Sequence, residues 1–105
     1  MSRHCISTTS TSGAKFEVAI GYDRPLDFVF CTVEGEDGFL YSNLEDENAG
    51  TVQQDVRYYE PVLEGLGISL PGPMFAEVEN DQANRFGNRV VKYSPEGTVI
   101  EEVRF

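Results

Sequence analysis

Basic residues are scarcest where acidic ones are densest. Between residues 25 and 84 the 105-residue chain holds thirteen of its eighteen Asp and Glu but one base, Arg57; that stretch carries −12 and each end +1, giving the formal −10. The chain has no Trp, one His and two Cys. Two cysteines, with no apolar signal segment in residues 1–13, predict reduced thiols and the cytoplasm as compartment. The longest apolar run within an expected strand, Phe28-Val29-Phe30-Cys31, is far below the roughly 20 residues that cross a bilayer, so no membrane span is expected. A glycine-rich phosphate loop, zinc-ligand spacing and a Gly-x-Ser-x-Gly turn are all missing, so neither a cofactor nor a catalytic residue is assigned. The charge disfavours direct contact with nucleic acid or anionic membrane and favours a basic protein surface as partner.

What is present suffices for a core. Apolar residues make up 40% of the chain and twelve residues are Phe or Tyr, too many for a disordered acidic tail. The Ser/Thr-rich start, residues 1–13, reads as a flexible polar leader, and residues 14–105 as a single domain. Lys15 to Tyr22 alternates, with Phe16, Val18, Ile20 and Tyr22 on one side, the period of a half-buried strand. Asp23-Arg24-Pro25 supplies a turn. Asp27 to Glu34, apolar on both faces, reads as a central strand. The Gly-bounded acids Gly35 to Gly38 make a hairpin loop, and Phe39 to Ser42 a short third strand. Val52, Val56, Tyr59, Leu63 and Leu66 recur at spacings of 4, 3, 4 and 3, drawing one helical stripe. Thr51 and Gln54 resemble a capping box at its start, Gly65 and Gly67 suit its end, and Pro61 demands a kink or a second helix start. Residues 74–85 fit a helix opened by Pro73, although Phe75 to Glu79 also alternates. Arg89 to Tyr93 and Thr98 to Phe105, joined by Ser94-Pro95-Glu96-Gly97, form a C-terminal hairpin. The predicted fold is α+β: an antiparallel sheet of about five strands, made of a three-strand meander and the C-terminal hairpin, with one or two helices. Exposed strand edges leave room for a homodimer.

Two constellations compete for function. Glu34, Glu36 and Asp37, with Glu45, Asp46 and Glu47, give a non-catalytic interaction module that docks a basic protein surface. Nucleic-acid mimicry, inhibiting a DNA-binding protein, is its specific form. Spreading −12 over half of a surface of roughly 5,900 Å² leaves about one net charge per 250 Å², against roughly one per 110 Å² on duplex DNA. The alternative is a small enzyme or ligand-binding domain with its site at the Asp23-Arg24 turn, drawing on Tyr22, Asp23, Arg24 and Tyr59. Metal is not predicted. Asp46-Glu47-Asn48-Ala49-Gly50 places its Gly one position early for an EF-hand, and Arg57 stands where the bidentate Glu belongs. With Met1 removed, Ser2-Arg3-His4 has the donors of a square-planar Cu(II) or Ni(II) chelate, but a loose leader carries such a motif without function. Cys31 reads as a small core residue.

Asp23-Arg24-Pro25-Leu26, Tyr41-Ser42-Asn43-Leu44, Leu66-Gly67-Ile68 with Leu70-Pro71, and Gly87-Asn88-Arg89 together resemble a set of small uncharacterised bacterial proteins, over most of residues 20–91. In that set a Trp usually precedes the Asp, where this chain has Tyr22. The resemblance implies a bacterial cytosolic protein and a helix over residues 74–85, and brings no activity with it.

Overall fold

The computed structural model describes residues 1–51 and 54–105. It is an α+β structure with six strands: β1 (Ser2–Thr9), β2 (Lys15–Asp23), β3 (Phe28–Gly35), β4 (Gly38–Ser42), β5 (Arg89–Tyr93) and β6 (Val99–Arg104). The helices are α1 (Tyr59–Gly65) and α2 (Gly72–Ala83). The strands form one sheet in the order β4-β3-β2-β1-β5-β6. All neighbours are antiparallel except β1 and β5. The sheet is therefore mixed and one strand larger than expected.

The added strand is the supposed leader. Ser2–Thr9 pairs with β2 along its whole length and with β5 from Ser2 to Ile6. Ser2, His4 and Ile6 are all buried on the core side, and Ile6 is the only apolar side chain of the three. The inward polar groups are paired instead: the Ser2 hydroxyl accepts from the Tyr22 amide at 3.3 Å, and both His4 ring nitrogens have partners. A strand that satisfies its inward face by hydrogen bonds leaves no hydrophobic period for sequence reading to find.

Alternate residues of the sheet face the helices. Val18, Ile20 and Tyr22 of β2, Val29, Cys31 and Val33 of β3, and Val91 and Tyr93 of β5 pack with Val56, Tyr59, Leu63, Met74, Phe75 and Val78 in one core. The expected stripe is thus largely present, although Val52 lies outside the described residues. Its helix starts later than expected. Asp55, not Thr51, caps a 3₁₀ turn over Val56–Tyr58 by accepting from the Arg57 amide at 2.8 Å, and α1 follows directly. Gln54 turns back, accepting from the Gly50 amide and donating to the Asn48 carbonyl. Pro61 is the third residue of α1, within the first turn, where its missing N–H costs no helical bond. Gly67, at φ +76°, ends the helix: its amide reaches the Glu64 carbonyl and the Ile68 amide the Leu63 carbonyl, the closure that favours glycine. Pro73 sits in the first turn of α2, and residues 74–83 are helical, as predicted. No helix among the described residues is long and apolar enough to cross a membrane.

Cys31 lies on the core face, fully buried, while Cys5, two strands away, is half-buried on the opposite face; both are free. Burial penalises the charged thiolate and pushes the Cys31 thiol up to about 12, so at pH 8 about one molecule in ten thousand carries the nucleophile. Iodoacetamide is therefore expected to add once to the native protein, at Cys5, and twice in denaturant, read by intact mass. Rapid double labelling of the native chain would contradict this burial.

Candidate functional site

The β2–β3 hairpin turns through Arg24-Pro25-Leu26-Asp27, closed by the Asp27 amide on the Arg24 carbonyl at 3.3 Å. Asp27 then adopts φ +55°, the left-handed residue that brings a four-residue turn back into register. Across from it, α2 ends at Ala83. The Phe86 amide bonds back to the Asp81 carbonyl at 2.8 Å, with Arg85 at φ +50° in the position helices usually give to glycine. Asn88, at φ +62°, leads into β5 with its amide on the Met1 carbonyl. Asp27, Arg85 and Asn88 are the only non-glycine residues in the left-handed region among those described. Such conformations cost of order 1–2 kcal/mol for an L-residue, least for Asn and Asp. All three belong to the same corner of the molecule.

Between these segments lies a cavity of about 380 Å³, lined by Met1, Arg24, Pro25, Arg85, Gly87 and Asn88. A relay from the core braces it. The buried Tyr22 hydroxyl donates to Asp27 Oδ1 at 2.5 Å, and the same oxygen lies 3.2 Å from Arg85 Nη1. Burial, then the Asp27 carboxylate, raises the Tyr22 phenol above its ordinary range, so it remains a donor. Arg24 is exposed and has no carboxylate within ion-pair distance among the described residues. Arg24-Pro25 and Gly87-Asn88, far apart in sequence, thus meet at one cavity.

The other expected site residues are dispersed. Tyr59 is a core residue whose hydroxyl donates to the Val29 carbonyl at 3.0 Å, not a lining of the Arg24 turn. Asp23, half-buried, ends β2 opposite Phe28. The two acidic loops stand at opposite ends of β4, roughly 17 Å apart for a five-residue strand. Glu36, Asp37, Glu45 and Glu47 are exposed. Glu34 is exposed too, directly across from Glu17 on β2, beside a second, shallower groove that also contains Lys15. Asp46 is used internally: it accepts from the Tyr41 hydroxyl at 2.6 Å, the Asn48 amide at 3.0 Å and the Tyr58 hydroxyl at 2.8 Å. These bonds hold it below the usual carboxylate range.

A second cluster escaped sequence reading. His4 Nε2 lies 2.7 Å from Asp81 Oδ2 and Nδ1 2.8 Å from the Tyr93 hydroxyl. Because a carboxylate only accepts, Nε2 carries the hydrogen. Arg89 adds 2.7 Å to Glu77 and 3.6 Å to Asp81, with its Nε lacking a hydrogen-bond partner. His4, Asp81, Tyr93 and Arg89 are all buried, so the cluster joins β1, α2 and β5 inside the core and reaches solvent through Glu77, the partner of Arg89. His4, committed on both nitrogens, is withdrawn from the chelate imagined for a loose terminus. No family model matches the chain, nor does any curated protein or solved structure.

Proposed function

We propose that the protein is a non-catalytic binding domain for a small oxyanion of the phosphate class, held at the Arg24 turn. One observation carries this reading: two arginines and two of the three left-handed non-glycine residues of the described chain, Arg85 and Asn88, line a single cavity, and the third, Asp27, is ion-paired with Arg85. Backbone held in costly conformations at one place is a mark of sites kept for function and not for stability. Guanidinium groups match tetrahedral and planar oxyanions bidentately, and the volume fits the lower range of ligand pockets. Arg24, Arg85, Arg89 and Arg104 stand at this end of the sheet; Arg85, Arg89 and Arg104 each have a carboxylate partner, which leaves Arg24 as the one of the four without a carboxylate partner among the described residues. Binding is preferred to turnover because the Tyr22 hydroxyl is committed to the Asp27 carboxylate, and that carboxylate to Arg85.

Arg85→Gly tests the idea in two directions at once. Glycine relieves the left-handed position and is expected to stabilise by about 0.5–1 kcal/mol in thermal or urea unfolding. The ion pair it deletes, between exposed Arg85 and half-buried Asp27, contributes little. Titrating labelled protein with inorganic phosphate or pyrophosphate should shift the Arg24 and Asn88 amides. Arg85→Gly and Arg24→Ala should each weaken that binding at least tenfold. A wild-type spectrum unmoved by both anions, or affinity unchanged in both variants, sinks the reading.

A further inference from the structure

The two edges of the sheet are built differently. β4 exposes Phe39 and Leu40, with Leu44 just beyond it, but Glu36 and Asp37 stand before it and Glu45 and Glu47 after it. An antiparallel second copy would bring acid against acid at both ends, the usual protection of an edge strand. β6 carries its charges within the strand and of both signs, Glu101, Glu102 and Arg104. All its residues are exposed, with Ile100 at 67% and Phe105, just past its end, at 71%.

The direction of its free hydrogen-bonding groups follows from one bond. The Phe105 amide donates inward to the Asn88 carbonyl at 2.9 Å. Backbone groups alternate along a strand, so Arg104 and Glu102 present their N–H and C=O to the open edge. A symmetric antiparallel pairing must join these outward residues. Placing Glu102 opposite Glu102, or Arg104 opposite Arg104, sets like charges face to face, which destabilises a sheet. The register between them sets Glu102 against Arg104 twice and Val103 against Val103 on the two-fold axis. Inside one chain Arg104 sits directly across from Arg89 and shares Glu102 with it, at 2.5 and 4.0 Å, so a second Glu102 opposite Arg104 gives that guanidinium a partner of its own.

We infer that β6 pairs with β6 of a second copy in this register, joining two six-stranded sheets into one. Strand pairing of this length buries less than a standard interface, so association in the micromolar range is expected. The test is sedimentation velocity across concentration, with circular dichroism to confirm folding. Wild type should be dimeric at about 100 µM and dissociate on dilution. Arg104→Glu, and separately Val103→Asp, should sediment as folded monomers, because each sets like charges against each other across the axis. The double exchange Glu102→Arg with Arg104→Glu should restore the dimer. A monomeric wild type at that concentration overturns the inference. So does a dimer that survives both Arg104→Glu and Val103→Asp, or a folded double exchange that stays monomeric.

Discussion

Replacing His4 by Ala is expected to cost about 3–5 kcal/mol, the combined effect of leaving a buried acceptor without its hydrogen-bond donor and of the cavity left by the ring. His4 is fully buried and Asp81 is 1% exposed, so the substitution leaves Asp81 Oδ2 without its donor at 2.7 Å and opens a cavity as well. Water cannot easily replace the ring. Arg89, at 3.6 Å from the other carboxylate oxygen, offsets part of the charge and sets the lower end of the range. Against a total stability of roughly 5–15 kcal/mol for a domain, the variant should sit near the edge of folding. The measurement is urea unfolding, where this loss moves the midpoint by about 2 M or more. The informative control is His4→Leu with Asp81→Leu, which removes both polar groups and should recover much of the loss. A cost below about 1 kcal/mol for His4→Ala would refute a central role for this pair. The site itself is unexpected, because Met1 to Gly13 has the composition of a tail.

Gly21→Ala is the second large effect, and its sign decides the argument. Glycine inside a strand ordinarily costs about 0.5–1 kcal/mol relative to alanine, so an open position would be stabilised by the change. Here a Cβ on Gly21 would lie 2.1 Å from the Ser2 carbonyl oxygen and 2.6 Å from the Phe30 ring. The ring can turn away. The carbonyl belongs to β1, whose Arg3 is registered opposite Gly21, so relief requires the two strands to shift. A loss of about 3 kcal/mol is expected, at the upper end of overpacking costs. Adding Phe30→Leu should recover only the ring's share. If Gly21→Ala is neutral or stabilising in chemical unfolding, the close approach of β1 to β2 is not a constraint on this protein.

These two positions also show what a sequence can disclose. Strands β2 and β3, the short β4, the C-terminal hairpin and the helix over residues 74–83 were legible, because each has its own apolar period or its own Gly, Pro and Asp punctuation. β1 was not, since its buried face is Ser2, His4 and Ile6 and its partners lie as far away as Asp81 and Tyr93. The parallel pairing of β1 with β5 is a long-range choice with no local sign, so an antiparallel sheet was the natural expectation. At the candidate site the Arg24 turn was visible as chemistry. Asp27, Arg85 and Asn88 were not, because a left-handed φ on a non-glycine residue leaves no mark in composition. Tyr59 was drawn to the site by its hydroxyl, which the fold spends on the Val29 carbonyl.

The concentration of acid between residues 25 and 84 was fully present in the sequence, as were the α+β class and the apolar faces of its elements. These depend on residue type and near-neighbour spacing alone. Tertiary structure decided how the charge is divided. It placed the two loops at opposite ends of β4, spent Asp46 on Tyr41 and Tyr58, and buried Asp81 against His4. It also set four of the eight bases at the end of the sheet that holds Asp27, Glu77, Asp81 and Glu102. Where a charged group ends up depends on which strands pair and in what register, and that is set by burial and hydrogen bonding summed over the whole chain, not by the residues on either side of it.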